Sequence, residues 1–134
     1  MSDPVAILKD AYRKWEDSRG AGVDDWLSIC APDAHIGSIG DGQPDVEYSA
    51  GGVGLEAVRR FLVQLNADWE MIENDMHDFI HEGGRVVALG HATWRHRASG
   101  RTVSTRKCDI WRFRDDKVTD FYEFYDTAAV RGLS

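Results

Sequence analysis

Two stretches near the end of the chain set a carboxylic acid among aromatic residues. In Cys108-Asp109-Ile110-Trp111-Arg112-Phe113, the strand period of two puts Asp109, Trp111 and Phe113 on one face and Ile110 and Arg112 on the other. In Phe121-Tyr122-Glu123-Phe124-Tyr125, the same period groups Phe121, Glu123 and Tyr125. An ionised carboxylate among apolar neighbours costs several kcal/mol unless it finds a partner, so such an acid pairs or takes up a proton. If the two faces coincide, Asp109 and Glu123 converge in one aromatic-lined cavity, where carboxyls can be tuned for proton transfer. The competing readings turn one or both acids to solvent, or pair them with Arg106 or Arg112. Asp126 faces the other way and reads as a cap for a short C-terminal turn, Thr127–Arg131.

Other groupings carry less. Residues 52–57, GVGLEA, fit a loose G-x-G-x-x-A pattern, but a dinucleotide site also needs a preceding strand and a parallel βαβ unit. They read as a loop entering a helix. His77 and His81 are four apart; on a helix that spacing suits zinc, but on a strand the two lie about 13 Å apart. They read as exposed strand positions near a turn. Arg95, His96, Arg97, Arg101, Arg106 and Lys107 form a basic hairpin, read as solvated and balanced by Asp115, Asp116 and Asp120. Cys30 and Cys108 read as free, buried thiols of a reducing cytoplasm. Five tryptophans are many for this length, and part of that set can line an apolar pocket.

Regular elements must position these residues. Ser2 or Asp3 can cap a first helix, with Pro4 at its start and Val5, Leu8, Tyr12 and Trp15 on its inner face. Residues 23–30 read as a short second helix with Trp26 inward, and 34–39 as a short strand. Residues 40–54 hold five glycines and a proline and read as a long loop. Residues 55–69 form the clearest helix, with Val58, Phe61, Leu62 and Leu65 inward. Strands follow over 71–82, 85–97, 101–114 and 117–125, broken by Gly83-Gly84, Ser99-Gly100 and Asp115-Asp116. Helices first and strands after is the α+β pattern.

The whole chain of 134 residues fits one domain, 1–134, large enough for its own core. Hydrophobic residues are 43% and charged residues 29%, which excludes a disordered chain, a coiled coil and a collagen-like repeat. No apolar run reaches the ~18 residues of a membrane span, and the N-terminus does not read as a signal peptide. The net charge of −7 repels nucleic acid and anionic membrane, so neither is expected as a partner.

The order helix, short helix, Ala31-Pro32-Asp33-Ala34-His35-Ile36, glycine-rich loop, Gly54-x-x-Ala-Val-Arg-Arg-Phe-Leu helix and four-strand meander resembles the nuclear transport factor 2-like superfamily. Within it the chain is most similar to SnoaL-like polyketide cyclases and ketosteroid isomerases. The resemblance implies a cone-shaped, curved antiparallel sheet wrapped by about three N-terminal helices, with a pocket inside and often a dimer. It implies that Asp109 matches the protonated aspartic acid of the isomerase oxyanion hole, the case for which an apolar site keeping a carboxyl neutral is the standing example. Glu123 matches the acid/base residue of the cyclases. The isomerase base falls near Ser38, which cannot act as one, leaving His35 as a nearby substitute. The isomerase tyrosine of the first helix falls near Lys14 and Trp15, so that donor is absent or replaced by Tyr12.

These readings combine into one expectation: acid/base proton transfer on a small apolar carbonyl compound, with Asp109 as oxyanion donor, at a raised pKa, and Glu123 as base. Tyr12, Trp15, Trp26, Phe61, Trp94, Trp111, Phe121 and Tyr125 would line the substrate pocket, and no metal or organic cofactor is implied. A ligand-binding domain without catalysis and an interaction module are the alternatives. Turning the hairpin at Ser99-Gly100 places Cys108 opposite His91 and leaves Val87, Leu89, Cys108 and Ile110 on an outer apolar face. Such a face predicts a homodimer.

Overall fold

A computed structural model describes residues 3–44 and 46–132. Helix α1, Pro4–Asp17, starts at Asp3, whose side chain accepts the Val5 N–H at 3.0 Å; Ser2, the other expected cap, lies outside the described residues. Its inner stripe is Leu8, Ala11, Tyr12 and Trp15, the three-and-four spacing of one helix face. Helix α2, Val23–Leu27, is shorter than expected, because the chain turns at Ser28 and Cys30 already opens a strand. That strand, β1, runs Cys30–Ser38 and is longer than the predicted 34–39. It contains Pro32, which has no N–H for a ladder; Pro32 falls where the pairing of β1 is interrupted, between Cys30 and His35.

The loop at 40–54 is not structureless. It contains a 3-10 turn, Glu47–Ser49, and a two-residue strand β2, Gly52–Val53. Helix α3, Leu55–Asp68, buries Val58, Phe61 and Leu62. Four long strands complete the chain: β3 Trp69–Glu82, β4 Arg85–His96, β5 Thr102–Arg114 and β6 Lys117–Phe124. Helix α4, Thr127–Arg131, ends it, capped by Asp126, which accepts from Ala129 N–H at 3.0 Å.

All six strands form one open sheet in the order β2-β1-β6-β5-β4-β3. The meander β3–β6 is antiparallel, as read from the turns. The pair β1–β6 is parallel, so the sheet is mixed rather than wholly antiparallel. The α+β architecture is thus a curved sheet whose inner face is covered by α1, α2 and α3, with the core between them.

The β4–β5 register differs from expectation by two residues: Cys108 faces Leu89, and His91 faces Arg106. The loop is a four-residue connection over 97–100. His96 still pairs with Arg101 across it, and Gly100 takes a left-handed φ of 75°. A shift of two preserves the side-chain faces, because the strand period is two.

Candidate active site

Register decides the centre of the site. Asp109 of β5 lies directly opposite Glu123 of β6, and Glu123 in turn lies beside Ser38 of β1. Both acids point inward and are 1% and 5% exposed. The expected convergence is therefore present.

The cation between them is neither Arg106 nor Arg112. It is Lys107, whose Nζ stands 3.0 Å from Glu123 Oε2 and 3.4 Å from Asp109 Oδ1. Lys107 departs from the solvated hairpin expected for it: its side chain is turned inward and only 15% exposed. The signal was available, since residues two apart on a strand share a face, and Lys107 is two before Asp109. The rest of the basic group stays outside. Arg95 pairs with Glu70, Arg97 binds the carbonyl of Asn66, and Arg101 caps the carbonyls of Ala129 and Val130.

Helix α1 delivers a third polar group. Tyr12 donates its hydroxyl to Asp109 Oδ2 at 2.6 Å and accepts from Trp111 Nε1 at 2.9 Å. Tyr12 is thus the first-helix tyrosine that reaches the acid. Trp26 stacks on Trp111 at 5.2 Å and 8°, and Tyr12 meets Trp26 edge-on at 5.2 Å. Asp109 therefore accepts from Tyr12 through Oδ2 and turns Oδ1 toward the Lys107 ammonium.

One lysine faces two buried carboxylates, so the set carries one excess negative charge when both acids ionise. The pKa of Glu123 is raised: burial dominates, and repulsion from Asp109 adds to it against the pull of Lys107. Burial alone would lower the pKa of Lys107, but the two carboxylates overcome it and hold the ammonium charged. Tyr12 is pushed well up, by burial first and then by Asp109, so its proton stays on oxygen.

The cavity above this triad measures about 90 Å³. All eight expected wall residues line it: Tyr12, Trp15, Trp26, Phe61, Trp94, Trp111, Phe121 and Tyr125. The triad itself, Asn74 and Tyr48 line it too. Tyr48 was missed because the loop at 40–54 has no periodicity to assign it a side. It is buried against Phe61 and Tyr125, and its hydroxyl pKa is raised well above the ordinary value by burial and by Glu123. Cys30 also lines the cavity, half-buried, and burial pushes its thiol up to about 11. Cys108 is half-buried on the other face; both thiols are free.

Behind Glu123 runs a chain of hydroxyls. Ser38 Oγ donates to Ser49 Oγ at 3.3 Å, and Ser49 Oγ lies 2.6 Å from Tyr125 Oη. Gly40 makes room for it, since a Cβ there would stand 2.1 Å from that Tyr125 oxygen. His35 is not brought to the acids. It borders the cavity but is exposed, on the opposite face of β1 from buried Ala34, Ile36 and Ser38.

Three buried polar atoms in the cavity wall have no hydrogen-bond partner among the described residues: Asp109 Oδ1, Trp26 Nε1 and Asn74 Nδ2. Buried polar atoms normally find one. Asp109 Oδ1 has the ammonium of Lys107 within ion-pair range, but the two nitrogens have nothing.

Solved structures share this fold. An NTF2-like protein from Burkholderia pseudomallei is 23% identical with a TM-score of 0.82, over 99% of this chain and 98% of that one. A protein from Mesorhizobium loti described as a SnoaL-like polyketide cyclase is 16% identical, TM-score 0.74, over 92% and 100%. TerC, crystallised with polyporic acid, is 22% identical, TM-score 0.76, over 98% and 98%. Among curated proteins none matches the chain. The model of the SnoaL-like domain matches residues 10–121, and the chain therefore belongs to the SnoaL-like domain family, with the NTF2-like fold.

Proposed function

We propose that the cavity performs acid/base proton transfer on a small, largely apolar carbonyl compound. The observation that carries this is the buried set of two carboxylates sharing one lysine under aromatic walls. Glu123, with its raised pKa, is the proton carrier. As carboxylate it takes a proton from the carbon beside the ligand carbonyl, and as acid it returns that proton to another carbon or to oxygen. The charge that collects on the carbonyl oxygen meets an N–H of Lys107, whose ammonium Asp109 helps hold charged. The oxyanion role expected of Asp109 thus passes to Lys107, with Asp109 and Tyr12 fixing the lysine's surroundings. Trp26 Nε1 and Asn74 Nδ2 offer two further donors to ligand oxygens. Isomerisation, cyclisation and hydration all use these steps, and TerC's crystals with polyporic acid support a small-molecule cavity.

Size limits the ligand. A cavity near 90 Å³ is smaller than the roughly 150 Å³ that accommodates benzene, so a one-ring ligand turns a wall side chain as it enters. Cyclohexanone is therefore a fitting probe, its α-proton exchange with D2O followed by NMR. The wild type is expected to exceed buffer, and Glu123→Gln to lower the enzymatic rate by roughly 10²–10⁴-fold with the fold intact. Wild-type exchange no faster than buffer, with tryptophan fluorescence still quenched by the ketone, would select a binding domain without catalysis. Ser38, near which the family resemblance places the isomerase base, favours that second reading.

We propose separately that the protein works in the cytoplasm as a homodimer. The outer sheet face joins Ile80, Val87, Leu89, Cys108, Ile110, Tyr122 and Phe124 in register, and Ile80, Tyr122 and Phe124 are largely exposed. An apolar face of this extent fits a two-fold contact. Sedimentation at micromolar protein is expected to give a dimer, and Leu89→Asp a monomer; a monomeric wild type would remove the dimer.

A further inference from the structure

The outer face of β3 and β4 holds a second group of chemically capable residues, on the side of the sheet away from the cavity. Asp75 of β3 lies directly opposite His91 of β4. The register then slips between Met76 and Asp78, so His77 is an extra, bulged residue. Such a bulge re-aims the side chains beside it. Gly90 permits it: a Cβ at that position would stand 2.0 Å from the Asp75 carbonyl oxygen. As a result Asp75, His77 and His91 each offer a ligand atom, and these atoms all lie within 4.8 Å of one another. His77 Nδ1 is 3.6 Å from Asp75 Oδ2, and the two imidazole centroids are 6.2 Å apart. Glu73 takes His91 Nε2 at 2.5 Å.

We propose that Asp75, His77 and His91 form a site for a divalent transition-metal ion, with Glu73 orienting the His91 ring. Two imidazoles and one carboxylate are the donors that Zn²⁺, Co²⁺ and Ni²⁺ take in preference to Mg²⁺ or Ca²⁺, which favour oxygen alone. Metal–ligand bonds of about 2.0–2.2 Å require the three atoms to draw in by roughly 1 Å. All three side chains are about half exposed, so rotation alone can do this. A carboxylate on the second nitrogen of a ligating histidine is the usual supporting contact in such sites. Arg106 faces His91 across the β4–β5 ladder and is exposed to water, which screens its charge. His81, four residues beyond His77, is no part of the group; its Nε2 lies 2.7 Å from the Gly83 carbonyl. The proposal does not rest on the reaction assigned to the cavity.

The test is titration of untagged protein with ZnCl₂ by calorimetry, with Co²⁺ absorption as a second readout. One ion per chain is expected at micromolar affinity. An ion joining two strands also raises the melting temperature, since it binds only the folded chain. His77→Gln and His91→Gln should each weaken binding by about 100-fold or more, Glu73→Gln by about tenfold, and His81→Gln not at all. Circular dichroism establishes that each variant is folded. Absence of saturable binding would overturn the site, as would binding that survives both His77→Gln and His91→Gln, or that His81→Gln abolishes.

Discussion

Arg106 and Lys107 are neighbours on β5 and stand in opposite surroundings. Arg106 points outward and is exposed, where water screens its charge. Lys107 points inward, against two carboxylates that are almost wholly buried. The outer face carries apolar side chains and half-exposed ion pairs such as Arg95–Glu70 and His91–Glu73, whose members water can solvate if a partner is lost. The inner face is a closed set in which every charge depends on the others, because burial removes the solvent that would replace a lost partner. Equal charge on one strand therefore predicts very unequal consequences of substitution.

The largest expected difference comes from the two cations. Lys107→Met leaves two buried carboxylates without a counter-charge and should cost about 3–5 kcal/mol in urea unfolding at pH 8. The loss should shrink at pH 5, where Glu123 can carry a proton. Arg106→Met should change stability by no more than about 0.5 kcal/mol. Similar values for the two variants would break the distinction between the faces.

Tyr12→Phe comes next. It removes the hydroxyl joining Asp109 Oδ2 to Trp111 Nε1, leaving a buried acceptor and a buried donor unsatisfied. A total of about 1–3 kcal/mol is expected, without the strong pH dependence of Lys107→Met. A loss confined to high pH would place Tyr12 in the charge balance instead of the hydrogen-bond network.

The smallest effect is the sharpest in sign. The folded-state pKa of Glu123 is raised above its ordinary value of 4.5, so the folded protein binds that proton more tightly than the unfolded chain. Stability from this group is complete below pH 4.5 and falls as pH rises through the raised value, by up to about 1.4 kcal/mol per pH unit. Glu123→Gln cannot ionise, so its stability relative to wild type should increase from pH 4 to pH 8. A relative decrease would mean that Lys107 stabilises the Glu123 charge by more than burial and Asp109 oppose it.

Much of this comparison was legible beforehand. Alternation along 108–113 grouped Asp109, Trp111 and Phe113 on one face of their strand, alternation along 121–125 grouped Phe121, Glu123 and Tyr125 on one face of theirs, and helical spacing assigned Tyr12, Trp15 and Phe61. The same alternation would have turned Lys107 inward, had it not been grouped with Arg106 by charge. Tyr48 had no such signal, because the loop that carries it follows neither period.

Side-chain direction within an element is a local property, set by backbone geometry that repeats every 2 or about 3.6 residues, so the sequence by itself determined which residues share a face. Which faces meet is not local. The opposition of Asp109 and Glu123, the reach of Tyr12 to both Asp109 and Trp111, and the parallel pairing that sets Ser38 beside Glu123 depend on register across separate strands and on helix docking. Register follows from connection length and from single irregularities: the four-residue loop that moved Cys108 from His91 to Leu89, and the bulge that carried His77 to His91. A shift of two residues leaves every face unchanged while replacing every cross-strand neighbour. Tertiary structure alone therefore decided the partners, because face assignment is blind to the shift that chooses them.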